Sequence, residues 1–342
     1  MPQIEMSAPL SALDDLGRPV NFGWARAPVF QYSASLIHRG TAGITESDRY
    51  IIFSSTHLLI FEVLDGGYLG YIGISIISLK DKKRSTQYYI IPFSMGSFEL
   101  PGSSETGSIR IQQKKSIVGF IVMDGGVRII KVDIPKFGHH RHLRGEVVLS
   151  PPPAAESMVT HMPWRRGQKA FCLSRRSPWY VAEGVMQFGT AELIFTRGNA
   201  WGIFDWNRGV RPRSDVRYWA SACGQSGDLQ VGFSVGYGSA DASMGTENAF
   251  FVNGKLHKLD QVTFHISPSS WLLPWHFTSN DNRMEMTFIP HQERFEHNRM
   301  FLHTLKRRQV IGSFSGKVVL DGGGELLFKD ITGVAERRKT RF

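Results

Sequence analysis

The chain has 342 residues, 42% of them hydrophobic and 12% aromatic, which is enough apolar material for two packed units of roughly 150 residues each. A net charge of +10 admits a nucleic-acid partner, while two cysteines exclude a disulfide framework. The first residues lack a basic segment followed by an apolar one. No apolar run approaches the ~18 residues that argue a membrane span, so neither a signal peptide nor a spanning helix is expected, and a cytoplasmic protein is.

Residues 2–47 read as irregular, with a turn at 13–19 where Asp14, Gly17 and Pro19 supply the turn chemistry. Strand-like runs then follow at 49–54, 57–64, 68–79, 86–92, 109–112, 116–123, 127–132 and 145–149. Asp65-Gly-Gly67 and Asp124-Gly-Gly126 are hairpin signals, and 80–84 is a charged turn. Ile109-Arg-Ile-Gln alternates apolar and polar residues, the period of a half-buried strand. Pro151-Pro-Pro153 cannot continue a ladder and reads as the linker, so the expected units are 1–155 and 156–342.

The second part repeats the pattern from 169 to 334. Gly232, Gly236 and Gly238 suit a strongly coiled sheet, and Asn253-Gly254 is a hairpin turn. Short strands with turn chemistry between them mean a sandwich or barrel. With roughly eight runs in each part, the expected fold is all-β with two small barrels in tandem.

The chain is organised around Trp201-Gly-Ile-Phe-Asp205-Trp206-Asn-Arg208-Gly209 and its continuation through Tyr218-Trp219 to Cys223. Asp and Arg are seldom buried unless paired, yet their flanks look like interior strand. Either Asp205 and Arg208 neutralise each other beneath the surface or they face a cavity.

These motifs resemble a known family. Gly202-Ile-Phe-Asp205-Trp206-Asn-Arg208-Gly209 is similar to its Asp-Trp-Gly-Arg-Gly core. Tyr218-Trp219-Ala-Ser-Ala, Gly236-Tyr-Gly238, Thr246-Glu247-Asn248-Ala-Phe-Phe, Gly254-Lys255-Leu-His257-Lys-Leu and Pro274-Trp275-His-Phe277 continue the likeness. So do Arg283-Met-Glu285-Met-Thr-Phe-Ile-Pro290, Gly312-Ser-Phe-Ser315-Gly316, Leu13-Asp-Asp-Leu-Gly17-Arg and Gly23-Trp24-Ala-Arg26. The family is the 2804 family of domains of unknown function. It is distantly similar to tandem lipocalin-like proteins: carotenoid hydratases, tocopherol cyclases and fungal Diels–Alderases. The resemblance implies two lipocalin-like (calycin-like) β-barrels with an apolar ligand at or near their junction. Where relatives carry an Asn-Cys-Met-Pro-Ala segment, this chain has Val185-Met-Gln-Phe-Gly.

Four residues are candidates for catalysis. Asp205 is a general acid if burial raises its pKa, with Arg208 to orient it; the alternative is a structural ion pair. Glu247, in a loop rich in small residues, either meets a ligand or caps backbone amides. His276 has an ordinary pKa near neutrality and suits proton transfer, although a lone strand histidine is more often a core group. Trp201, Trp206, Tyr218, Trp219 and Trp275 are candidate walls of a ligand cavity, or simply core. Asn248 and Glu285 complete the candidate ligand contacts, with strand parity placing Glu285 toward solvent if Met284 and Met286 face the core.

His139-His140-Arg-His142 is dense but lacks a carboxylate partner, so no metal is expected. There is no phosphate loop and no Gly-x-Ser-x-Gly elbow, and no cofactor is expected. The basic segments Arg165-Arg166, Arg175-Arg176, Lys306-Arg307-Arg308 and Arg337-Arg338-Lys339-Thr-Arg341 come without any nucleic-acid-binding motif. They are expected as solvated loop and edge charges. The first functional expectation is a cofactor-independent hydratase, isomerase or cyclase acting on an apolar molecule. The alternative is a carrier using the same cavity without chemistry, and a third is an adaptor for RNA or membrane surfaces.

Overall fold

The computed structural model describes residues 3–37, 43–138, 141–165, 169–300 and 303–341. Apart from 3-10 turns at Ala34–Leu36 and Asp124–Gly126, every regular element among them is a β-strand. In the first sheet, Glu46–Phe53, His57–Asp65, Leu69–Ser78 and Arg84–Pro92 form one antiparallel meander. Ile109–Gln113, Ser116–Val122, Arg128–Phe137 and Arg141–Ser150 form another. Strands Phe171–Phe188 and Trp201–Val210 join the two meanders edge to edge. The sheet curls until its far edges approach, and Tyr89 Oη donates to Ser116 Oγ at 2.8 Å.

The second sheet has nine strands, from Ser214–Ser226 to Glu325–Arg341. The chain passes directly from Lys255–Lys258 at one edge to Val262–His265 at the other, so this sheet also curls on itself. The result is the all-β architecture of two lipocalin-like barrels in tandem.

The division between sheets falls after Val210, not at the proline run expected to separate 1–155 from 156–342. Beyond Pro153 the chain turns back, and Phe171–Phe188 pairs with Arg141–Ser150 in the same sheet. Proline cannot extend a ladder, but it can mark the turn between neighbouring strands of one sheet as well as a linker between two.

Strand parity then makes three cores. Tyr50, Ile52, Phe61, Phe120 and Phe204 fill the first barrel. Phe233, Trp275, Phe277, Phe288 and Phe314 fill the second with closely packed rings. Ile51, Phe53, Ile203, Trp219, Ile311 and Val334 lie between the two. Glu46–Phe53 is therefore buried at every position, with alternate residues facing the barrel interior and the partner sheet. Gly232 marks how close the sheets come: a Cβ there would lie 1.9 Å from the Pro178 carbonyl oxygen.

Candidate functional site

The face of the first sheet turned toward the second carries a row of alternating charge. Glu62, Arg49, Asp205 and Arg176 are direct cross-strand neighbours on four adjacent strands. Opposite charges at such positions stabilise the pairing. The second sheet presents a row of its own, Glu296, Arg307, Arg338 and Arg217, also in register. Ion pairs join the rows. Both Arg307 Nη atoms donate to Glu62 at 2.8 Å, and Arg49 meets Glu336 fork to fork at 2.9 and 3.0 Å. Burial opposes ionisation of Glu336, but Arg49 and Arg307 outweigh it and hold its pKa at about 2. In the same way burial is outweighed at Glu62, chiefly by Arg307, and its carboxyl stays far below the usual range.

Asp205 and Arg208 do not neutralise each other. Three residues apart on one strand, they project from opposite faces. Asp205 turns toward the second sheet, where it binds Arg176 Nη1 and accepts from Asn207 Nδ2 at 2.8 Å. Burial raises its pKa, but Arg176, with Arg217 and Arg49 beyond, outweighs this and leaves it lowered. Asp205 is thus ion-paired with a lowered pKa, the structural alternative, and lacks the raised pKa that the general-acid reading required. Arg208 points into the first barrel. It binds Asp48 Oδ1 at 2.7 Å and the Pro101 carbonyl oxygen at 2.9 and 3.0 Å, and its guanidinium lies 4.5 Å from the Trp206 ring centre.

Glu247 is where the ionic rows meet open space. Its carboxylate accepts from Arg217 Nε at 3.0 Å and from Arg217 Nη2, and Arg176 Nε lies 3.4 Å away. It therefore ties the first sheet to the second. It also lines a cleft of about 530 Å³ with Met162, Tyr237, Ala242, Asn248 and Val262. A smaller cavity of about 40 Å³ behind it shares Met162 and Glu247 and reaches Arg176. Gly236 makes room for the carboxylate, since a Cβ there would lie 2.8 Å from Glu247 Oε1. Asn248 is buried beside it, accepting from Gly236 N at 2.6 Å and donating to the Asp260 carbonyl oxygen at 2.7 Å.

The remaining candidates are dispersed. Trp206 faces the first barrel and lines a hollow of about 310 Å³ with Tyr32 and Arg175. Trp201 and Trp219 pack between the sheets, and Arg49 lies 5.0 Å from the Trp219 ring centre. Tyr218 stacks on Tyr237 with ring centres 5.0 Å apart. Trp275 is fully buried in the second barrel, its Nε1 donating to the Trp271 carbonyl oxygen at 3.0 Å. The ring packing there leaves Trp275 a core residue rather than a cavity wall. His276 and Glu285 are exposed on the outer surface, away from the cleft.

Sequence reasoning missed Arg176 and Arg217, the residues that hold Glu247. Arg175-Arg176 and Arg307 are buried within strands, not solvated loop charges as expected. The available signal was their setting in apolar runs such as Phe171-Cys-Leu. Val185 and Met186 do not line the cleft; Met186 is buried in the first barrel. His139, His140 and Arg166 lie outside the described residues, and His142 contacts Asp133 at 2.6 Å.

The profile of a family described as "Domain of unknown function (DUF2804)" matches residues 3–342. No curated protein matches the chain. Among solved structures, kievitone hydratase from Nectria haematococca is similar in fold, with a TM-score of 0.50 and 9% identity over 89% of this chain and 90% of that one. A chain provisionally named AttH from Nitrosomonas europaea has a TM-score of 0.46 and 12% identity over 86% of this chain and 91% of that one. Among the described residues no helix is long and apolar enough to cross a membrane.

Proposed function

The chain belongs to the DUF2804 family, and on that premise we propose that it binds a small apolar molecule carrying a hydrogen-bond donor in the cleft above Glu247. One observation carries the reading: Glu247 is a carboxylate fixed by two arginines at the floor of an open cleft. Its Oε1 accepts one hydrogen bond, from Arg217 Nε, and a carboxylate oxygen has room for a second. The cleft volume of about 530 Å³ is within the range of small-molecule sites. Met162, Tyr237 and Val262 supply apolar wall, and the ligand's hydroxyl or amine meets Oε1.

A second reading adds chemistry without a cofactor: hydration, isomerisation or cyclisation of the held molecule. Its support is the position of the Glu247 carboxylate beside an apolar wall, together with a fold shared with a protein named as a hydratase. Here Glu247 takes a proton from the held molecule, or from water in a hydration, and returns it to the product, so no net proton is consumed.

Native mass spectrometry of freshly purified protein, followed by extraction, tests both readings. An apolar molecule should co-purify, be absent from Ala242→Trp, which fills the cleft without touching an ion pair, and be depleted in Glu247→Gln. If it survives incubation unchanged the binding reading holds, and its conversion establishes the catalytic one. Equal occupancy in wild type and Ala242→Trp would remove the cleft from both.

A further inference from the structure

We propose a second site, separate from the Glu247 cleft, that takes a small organic carboxylate between Arg211 and Arg338. Arg307, Arg338 and Arg217 are consecutive cross-strand neighbours, an arrangement that is destabilising unless each charge is answered. Arg307 is answered by Glu62 and Arg217 by Glu247. Arg338 lies between them, and among the described residues its side chain has neither an ion pair nor a hydrogen bond. Its Nε is buried without a partner, as is Oγ1 of Thr340, two residues further along the same strand face.

Arg211 enters the same cavity from the short segment that joins the two sheets. It too has no ion pair or hydrogen bond among the described residues. Burial, with the charge of Arg338 added, pushes its pKa down to about 10. Asp215 attracts Arg211 from beyond contact distance, and Glu336, the acid nearest Arg338 along the strand, is taken up by Arg49.

Two unanswered guanidiniums and an unpartnered hydroxyl thus face one cavity. Its other walls include Leu64, Leu69, Tyr71 and Leu305. Buried cations are costly unless an anion is supplied, and guanidinium forks match a carboxylate in two-point fashion. The apolar walls ask for a carbon body behind that carboxylate. A volume of about 70 Å³ accommodates the carboxylate and the first few carbons, while Ile90, 44% exposed, opens the cavity toward solvent. The ligand class is therefore an aliphatic or aromatic monocarboxylate, bound head inward.

Isothermal titration of the full chain with hexanoate tests this. Hexanoate should bind, with hexanol, acetate and inorganic phosphate each weaker by about tenfold or more, because each lacks either the charge or the carbon body. Arg338→Met and Arg211→Met should each weaken hexanoate by about tenfold or more. Neither should lower the melting temperature without ligand, because each removes a charge that has no partner. Hexanoate should raise the melting temperature of the wild type but not of Arg338→Met. Ala242→Trp should bind hexanoate like the wild type, which separates this site from the cleft.

The proposal is overturned if hexanoate does not bind, if the methionine variants bind it equally, or if phosphate or acetate matches it. It is also overturned if Arg338→Met melts well below the wild type, since Arg338 would then have a structural partner.

Discussion

Replacing Arg49 by methionine would leave Glu336 charged and buried, facing a sheet that no longer answers it with a fork. The pair joins residues 287 positions apart and is almost closed to solvent, with side-chain exposures of 3% and 5%. Removing one member of such a pair costs about 3–5 kcal/mol, because the remaining charge stays desolvated. Arg49→Met also loses contact with the Trp219 ring, worth about 1 kcal/mol. Glu336→Leu should fall in the same range, since it strands Arg49 and leaves Gln309 Nε2 without the oxygen it reaches at 3.1 Å. The double variant, Arg49→Met with Glu336→Leu, removes both charges and should be more stable than either single one. The coupling is expected to be about 2 kcal/mol or more. Urea unfolding at neutral pH, followed by tryptophan fluorescence, measures all four corners of the cycle. Single costs below about 1 kcal/mol that simply add would refute the reasoning, since such values belong to solvated surface pairs.

Two further outcomes follow from the same buried charges. Glu336 titrates at about 2 in the folded chain against an ordinary 4.5, so its contribution is present above the ordinary value and is lost as pH falls toward the folded one. That loss is about 3 kcal/mol, with Glu62 and Asp205 shifted in the same direction; the urea midpoint should therefore drop steeply on acidification, and a midpoint at pH 3 equal to that at neutrality would contradict it. Asp205→Asn should destabilise the fold by about 3 kcal/mol through Arg176, whereas a fold of unchanged stability would return Asp205 to candidacy as a proton donor.

Alternation and turn chemistry act between near neighbours, so they were legible from the residues. Asp65-Gly66 and Asn253-Gly254 do turn hairpins, and Met284, Met286 and Phe288 do face the core while Glu285 faces out. The family motifs likewise pointed to all-β barrels in tandem. Glu247 was legible as a candidate because a loop of small residues can approach a ligand closely, but its holders were not. Which face of a strand meets which partner depends on sheets assembled from residues more than a hundred positions apart. Period-2 patterning says only that two faces exist, so Asp205 and Arg208 read as partners although they look in opposite directions. Arg175, Arg176 and Arg307 read as solvated for the same reason: a charged residue in a strand is exposed by default, and only a second sheet or a barrel interior around it makes it buried. The tertiary structure alone decided that the outer faces of two barrels would press together. That contact turned scattered basic segments into an ionic seam with two arginines left unanswered.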